Sequence, residues 1–79
     1  MTDVIKEPDH YRQAEIEAIT VIEMVVAQYK DPMVGYSIGN TLKYVQRAPH
    51  KGKQVEDLKK AKQYLSRAIA RLEGRNAWE

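Results

Sequence analysis

Lys43, Tyr44 and Arg47 follow Asn40 by three, four and seven residues within the stretch GNTLKYVQRAPHKG. Each helical residue turns the chain by about 100°, so this spacing places an amide, an ammonium, a phenol and a guanidinium on one stripe. That set suits an anionic ligand carrying a ring. Arginine presents a planar fork to two phosphate oxygens, and lysine a compact point charge. Asn40 can donate to an oxygen or read a base or sugar edge. Tyr44 can stack on a base or donate its hydroxyl. Ile38, Leu42 and Val45 fall on the other side of the same helix, the expected core side. Residues 40–53 contain four Lys or Arg and no acid, and the stripe runs into His50, Lys51 and Lys53.

The following helical stretch offers a counterpart. Asp57, Lys60, Tyr64, Arg67 and Arg71 share a stripe beside its apolar face. Glu56 and Asp57 open that helix, where two acids compensate the helix dipole. They are also candidate oxygen ligands for a Mg²⁺ riding on a nucleotide phosphate. His10 and Tyr11, in PDHY, precede the first helix and could close over a ligand lying on the second. The plainer reading of His10 is a hydrogen-bonded structural residue. Glu15 and Glu17, two apart, do not face the same way on a helix. The sequence has no GxxxxGK[ST] phosphate loop and no GxGxxG. It also lacks the ExxE…ExxD carboxylate pattern of all-helical nucleotide pyrophosphohydrolases.

The elements that must position these residues are marked by prolines and glycines. Residues 1–13 read as an irregular lead-in, because Pro8 disfavours a helix at Glu7; Asp9 can cap the first helix through its carboxylate. That helix fits Ala14 to Tyr29, with Ile16, Ile19, Ile22 and Val26 on one face and Val21 and Val25 widening it. Asp31-Pro32 breaks the chain. A second helix runs from Met33 or Ser37 to Ala48, and Pro49 ends it. Gly35 and Gly39 weaken its start or let another backbone approach closely. A third fits Gln54 to Glu73, with Val55, Leu58, Ala61, Leu65, Ala68, Ile69 and Leu72 on one face and Gly74 as its stop. The expected fold is all-α: one domain over residues 1–79, three helices, the second and third forming a hairpin, and a tail at 75–79.

Composition narrows the class. The chain has 79 residues, no cysteine and no phenylalanine. Disulfides, thiolate metal sites and cysteine nucleophiles are therefore excluded. Seventeen Ile, Leu and Val residues make a thin core for a lone monomer, so a homo-oligomer is expected. The charged N-terminus lacks the apolar core of a signal peptide, and no apolar run approaches the ~20 residues of a membrane helix. A cytoplasmic protein without a membrane partner is the expectation. Net charge is +2, but residues 1–39 carry −4 and residues 40–79 carry +6. The halves can attract one another, and the second can hold an anion.

In order, PDHY, EIEAITVIE, GNTLKYVQRA and KGKQVEDLKKAKQYLSR resemble the successive blocks of a small bacteriophage and prophage family. That family, long of unknown function, has been associated with a phage nucleotide kinase domain. The resemblance covers residues 8–67. Its blocks fall on His10, Tyr11, Glu17, Asn40, Lys43, Tyr44, Arg47, Lys51, Gly52, Glu56, Asp57, Lys60 and Tyr64. Ala14 stands where a glycine is common, and Pro49-His50 precedes Lys51-Gly52 where Gly or Lys often stand. The resemblance implies a nucleotide-binding protein of the host cytoplasm that phosphorylates nucleoside monophosphates. For such an enzyme, side-chain chemistry alone would give Lys43, Arg47 and Lys51 the phosphates, Tyr44 or Tyr11 the base, and Glu56 with Asp57 the Mg²⁺. One 79-residue subunit hardly encloses two nucleotides, so a catalytic site would lie between subunits. Two other readings use the same stripe: a non-catalytic oligomer that sequesters or senses a nucleotide, and a nucleic-acid- or protein-binding module. Nucleic acid ranks lowest, because Lys59, Lys60 and Lys62 point in different directions.

Overall fold

The computed structural model describes residues 7–50 and 52–75, with side chains from Glu17 onward. Three helices succeed one another: α1 (Glu7–Val26), α2 (Pro32–Arg47) and α3 (Gln54–Leu72), with a 3-10 turn at Ala48–His50. There is no strand among the described residues. The all-α architecture and the α2–α3 hairpin match the reading of the sequence.

The first helix departs from it at both ends. It begins at Glu7 rather than Ala14 and ends at Val26 rather than Tyr29. Pro8 falls in the first turn, where its missing N–H has no helical partner to lose. It therefore starts the helix instead of delaying it, and Asp9 lies inside the first turn. At the C-terminal end, Gln28 and Tyr29 turn their amides to the carbonyls of Val25 and Val26.

The limits of α2 and α3 follow from local chemistry. Asp31 caps α2 from an extended backbone, and its Oδ1 accepts the Met33 N–H at 2.9 Å. Pro32 takes the first helical position, where its fixed φ suits the turn. Pro49 converts the end of α2 into a 3-10 turn. Gly74, at φ 78°, closes α3. Arg75 N–H reaches the Ala70 carbonyl at 2.7 Å, and Gly74 N–H reaches Arg71 at 3.1 Å. This pair of bonds satisfies carbonyls that a helix end otherwise leaves open, and it requires a left-handed residue at Gly74.

The helices lie side by side in one layer. The α2–α3 seam is built from small residues: Val34, Ser37 and Ala48 of the α2 side, with Asp57, Ala61 and Ala68 of α3, are all buried. Thr41 Oγ1 donates to the Ser37 carbonyl at 2.8 Å and lies 3.4 Å from the Ala61 carbonyl across the seam. On the opposite side of α2, Gly35 and Gly39 receive α1. A Cβ added at either would sit 3.2 Å from a Val26 methyl, so glycine suits this close approach. Among the described residues α1 meets α2 and not α3.

The resulting Cα envelope measures 49 × 30 × 9 Å, with a radius of gyration of 15.2 Å. A compact chain of this length would have a radius near 12 Å. A 9 Å layer is one helix thick, and its two faces differ. Ile38, Leu42 and Val45, expected to form the core side of α2, lie on one open face beside Leu58, Leu65, Ile69 and Leu72. Val45, Leu58, Leu65 and Ile69 are 42–47% exposed. The seam is made by a different set of residues, because alanine, serine and threonine let the two backbones close up.

Candidate functional site

The other face carries the polar stripes. Tyr44 of α2 and Tyr64 of α3 stack across the seam with ring centroids 5.9 Å apart and planes 13° from parallel. Tyr36, two turns before Tyr44, meets Tyr64 edge-on at 6.1 Å. Around this aromatic row stand four cations. Lys43 Nζ lies 5.1 Å from the Tyr44 centroid, Lys60 Nζ 5.5 Å and the Arg47 Cζ 5.5 Å; the Arg67 Cζ lies 5.1 Å from the Tyr64 centroid. Each separation is within the ~6 Å over which a ring face attracts a cation. The rings hold together charges that would otherwise repel one another. A ligand phosphate placed there would meet several donors at once.

Asn40 sits within the same stripe, and its amide donates to the Tyr36 carbonyl one turn back at 3.0 Å. That bond fixes the amide's orientation and leaves its carbonyl oxygen outward. Asn40, Lys43, Tyr44, Arg47, Lys60 and Tyr64 therefore share one surface. Lys51 lies outside the described residues. His10 and Tyr11 lie in the backbone of α1, one turn from its start, and their side chains lie outside the described residues.

Glu56 and Asp57 separate. Glu56 is exposed, whereas Asp57 is only 2% exposed, turned into the seam. Arg47 covers it, with Nε 3.4 Å from Oδ2. That oxygen is fully buried and lacks a partner of hydrogen-bond geometry. The contact is thus a charge pairing without an aligned hydrogen bond. In this arrangement the Asp57 carboxylate is closed against Arg47 while that of Glu56 faces solvent, so the two do not converge on one point. Among the described residues no three His, Asp or Glu side chains cluster around a common point. Asp57 instead holds Arg47 over the Tyr44 ring.

Sequence reasoning passed over Tyr36 and left Arg67 outside the site. Tyr36 precedes Asn40 by four residues, so extending the stripe by one turn would have found it. It is 56% exposed and offers the most open ring of the row. Arg71, expected on the α3 stripe, is drawn away to Asp31. Its Nε donates to Asp31 Oδ2, and this bond, helped by the Met33 amide, holds the Asp31 carboxyl below its ordinary value.

These features define a small all-helical protein with a cationic aromatic face on a helical hairpin. The chain belongs to the family described as a protein of unknown function, DUF3310, which matches residues 5–66. No curated protein and no solved structure matches it. None of the described helices is long and apolar enough to cross a membrane.

Proposed function

We propose that the tyrosine–cation face of the α2–α3 hairpin binds a nucleotide. The observation that carries this reading is the stacked Tyr44–Tyr64 pair with four cationic heads within 5.5 Å of the two ring centroids. Lys43, Lys60 and Arg47 take the phosphates, with Arg47 held by Asp57. Tyr36 supplies the open ring on which a base stacks, and Asn40 a polar contact beside it. Mg²⁺ accompanies the phosphates only as the nucleotide's own counterion.

Phosphoryl transfer to a nucleoside monophosphate is the narrower form of this proposal. Such catalysis rests on positioning and charge neutralisation, and the cations suit it. Two observations favour binding without turnover. The face is open rather than enclosing, and Asp57 is committed to Arg47. Titration calorimetry with ATP, the deoxynucleoside monophosphates and inorganic phosphate tests the reading. Binding of a nucleotide, weakened about tenfold or more by Lys43→Ala, is expected from the loss of one charge-assisted hydrogen bond. No heat with any nucleotide at millimolar concentration would overturn it. Diphosphate product above the Lys43→Ala background, on incubation with ATP and a monophosphate, would decide for the kinase.

A further inference from the structure

Among the described residues, the apolar face opposite the tyrosine–cation face has no partner. Val45, Leu58, Leu65, Ile69 and Leu72 lie between 42% and 68% exposed, and they keep helical spacing on two adjacent helices. A domain normally has two packed layers around its core, and the described helices supply one. We infer that the second layer is another copy of the same chain, packed apolar face to apolar face in a two-fold dimer.

Area supports a partner of this size. The chain exposes 6198 Å², where a compact protein of its mass would expose about 4,900 Å². The surplus is comparable to what one subunit contributes to an obligate dimer, on the order of 1,000 Å² or more. Charge supports a second copy and fixes its direction. Helix α1 holds five acids and one arginine, whereas α3 holds five Lys or Arg and two acids. They occupy opposite edges of the layer. A two-fold axis running along α2, between the layers, sets α1 of each copy over α3 of the other. An axis across the helices would instead set acid on acid and base on base. The first arrangement places the two Val45 side chains at the same height near the axis. It also leaves both tyrosine–cation faces outward.

The test is independent of any nucleotide. Light scattering of the full chain, from about 5 to about 100 µM, should give twice the 9.1 kDa chain mass, a range spanning the micromolar affinities of modest interfaces. Leu65→Glu should give the monomer mass, with circular dichroism recording whether the helices persist. Since the chain has no cysteine, single cysteines report proximity cleanly. Val45→Cys should form a disulfide-linked dimer on mild oxidation, and Lys43→Cys, on the other face, should not. A monomer at the top of that concentration range overturns the inference, whether or not it binds neutral phosphatidylcholine vesicles. So does cross-linking through Lys43→Cys in place of Val45→Cys, or a Leu65→Glu protein that stays dimeric.

Discussion

Removing Arg47 should damage the fold and the ligand site by separate routes, and a second substitution should repair only the first. Arg47→Ala takes away the charge 3.4 Å from the Asp57 carboxylate. At that distance the attraction is worth between about 1 and 5 kcal/mol for effective dielectric constants of about 80 and 20. Asp57 is buried but the Arg47 side chain is 43% exposed, so solvent screening holds the value to the lower half of that range. Leaving a buried carboxylate uncompensated is the dominant loss, and about 2 kcal/mol is expected. In a chain of this length that corresponds to a Tm lower by roughly 8–16 °C. Asp57→Asn alone keeps the shape and removes the charge, and should cost less than Arg47→Ala. The double variant should then melt near Asp57→Asn, because the orphaned charge is gone. Nucleotide affinity should stay low in the double variant, since Arg47 is still missing. Urea or thermal melts of the four proteins, with calorimetry on each, give the cycle. Strictly additive stability losses would refute the pairing, because only coupled residues depart from additivity.

Three other outcomes are expected from the same structure. Raising salt should weaken nucleotide binding and leave its dependence on Tyr36 intact; Tyr36→Ala should cost affinity at every ionic strength, as measured by calorimetry from low to high salt. Asp31, held below its ordinary value of 3.8 by Arg71 and the Met33 amide, contributes stability that is fully present above 3.8 and lost as pH falls through its lower folded value. The Tm gap between the parent and Asp31→Ala should therefore be steady near neutrality and narrow in acid below about pH 4. Gly35→Ala and Gly39→Ala should melt close to one another in thermal scans. Both gain helix propensity of up to about 1 kcal/mol. Each new methyl meets a Val26 methyl at 3.2 Å, and the remaining neighbours, at 3.5–3.9 Å, lie at ordinary contact distance.

Proline and glycine made the helix count and the α2–α3 hairpin legible, because Asp31-Pro32, Pro49 and Gly74 act through the backbone and need no tertiary knowledge. Pro8 misled for the same reason: the rule for the residue before a proline competes with the tolerance of a first helical turn, and only the folded chain decides. Periodicity showed correctly that Val45, Leu58, Leu65 and Ile69 share faces with their apolar neighbours. It could not show that these faces turn away from the other described helices. The seam instead uses Ser37, Ala48, Ala61 and Ala68, whose small side chains give almost no hydropathy signal. Among site residues, the i, i+3, i+4, i+7 stripe from Asn40 was visible from spacing alone, and the structure places Lys60 and Tyr64 opposite it. The burial of Asp57 was not visible, because an acid in a first turn looks the same whether it faces water or a partner helix.

The Asp31–Arg71 bond joins the start of α2 to the last turn of α3, at the end of the hairpin away from the connecting turn. The two rods are thereby fastened at both extremities, like the rails of a ladder. Neither can splay without breaking a charged clasp or stretching the covalent link. The gap bridged by Tyr44 and Tyr64 lies between these two fastenings, so the proposed anion site would keep one width for as long as both hold.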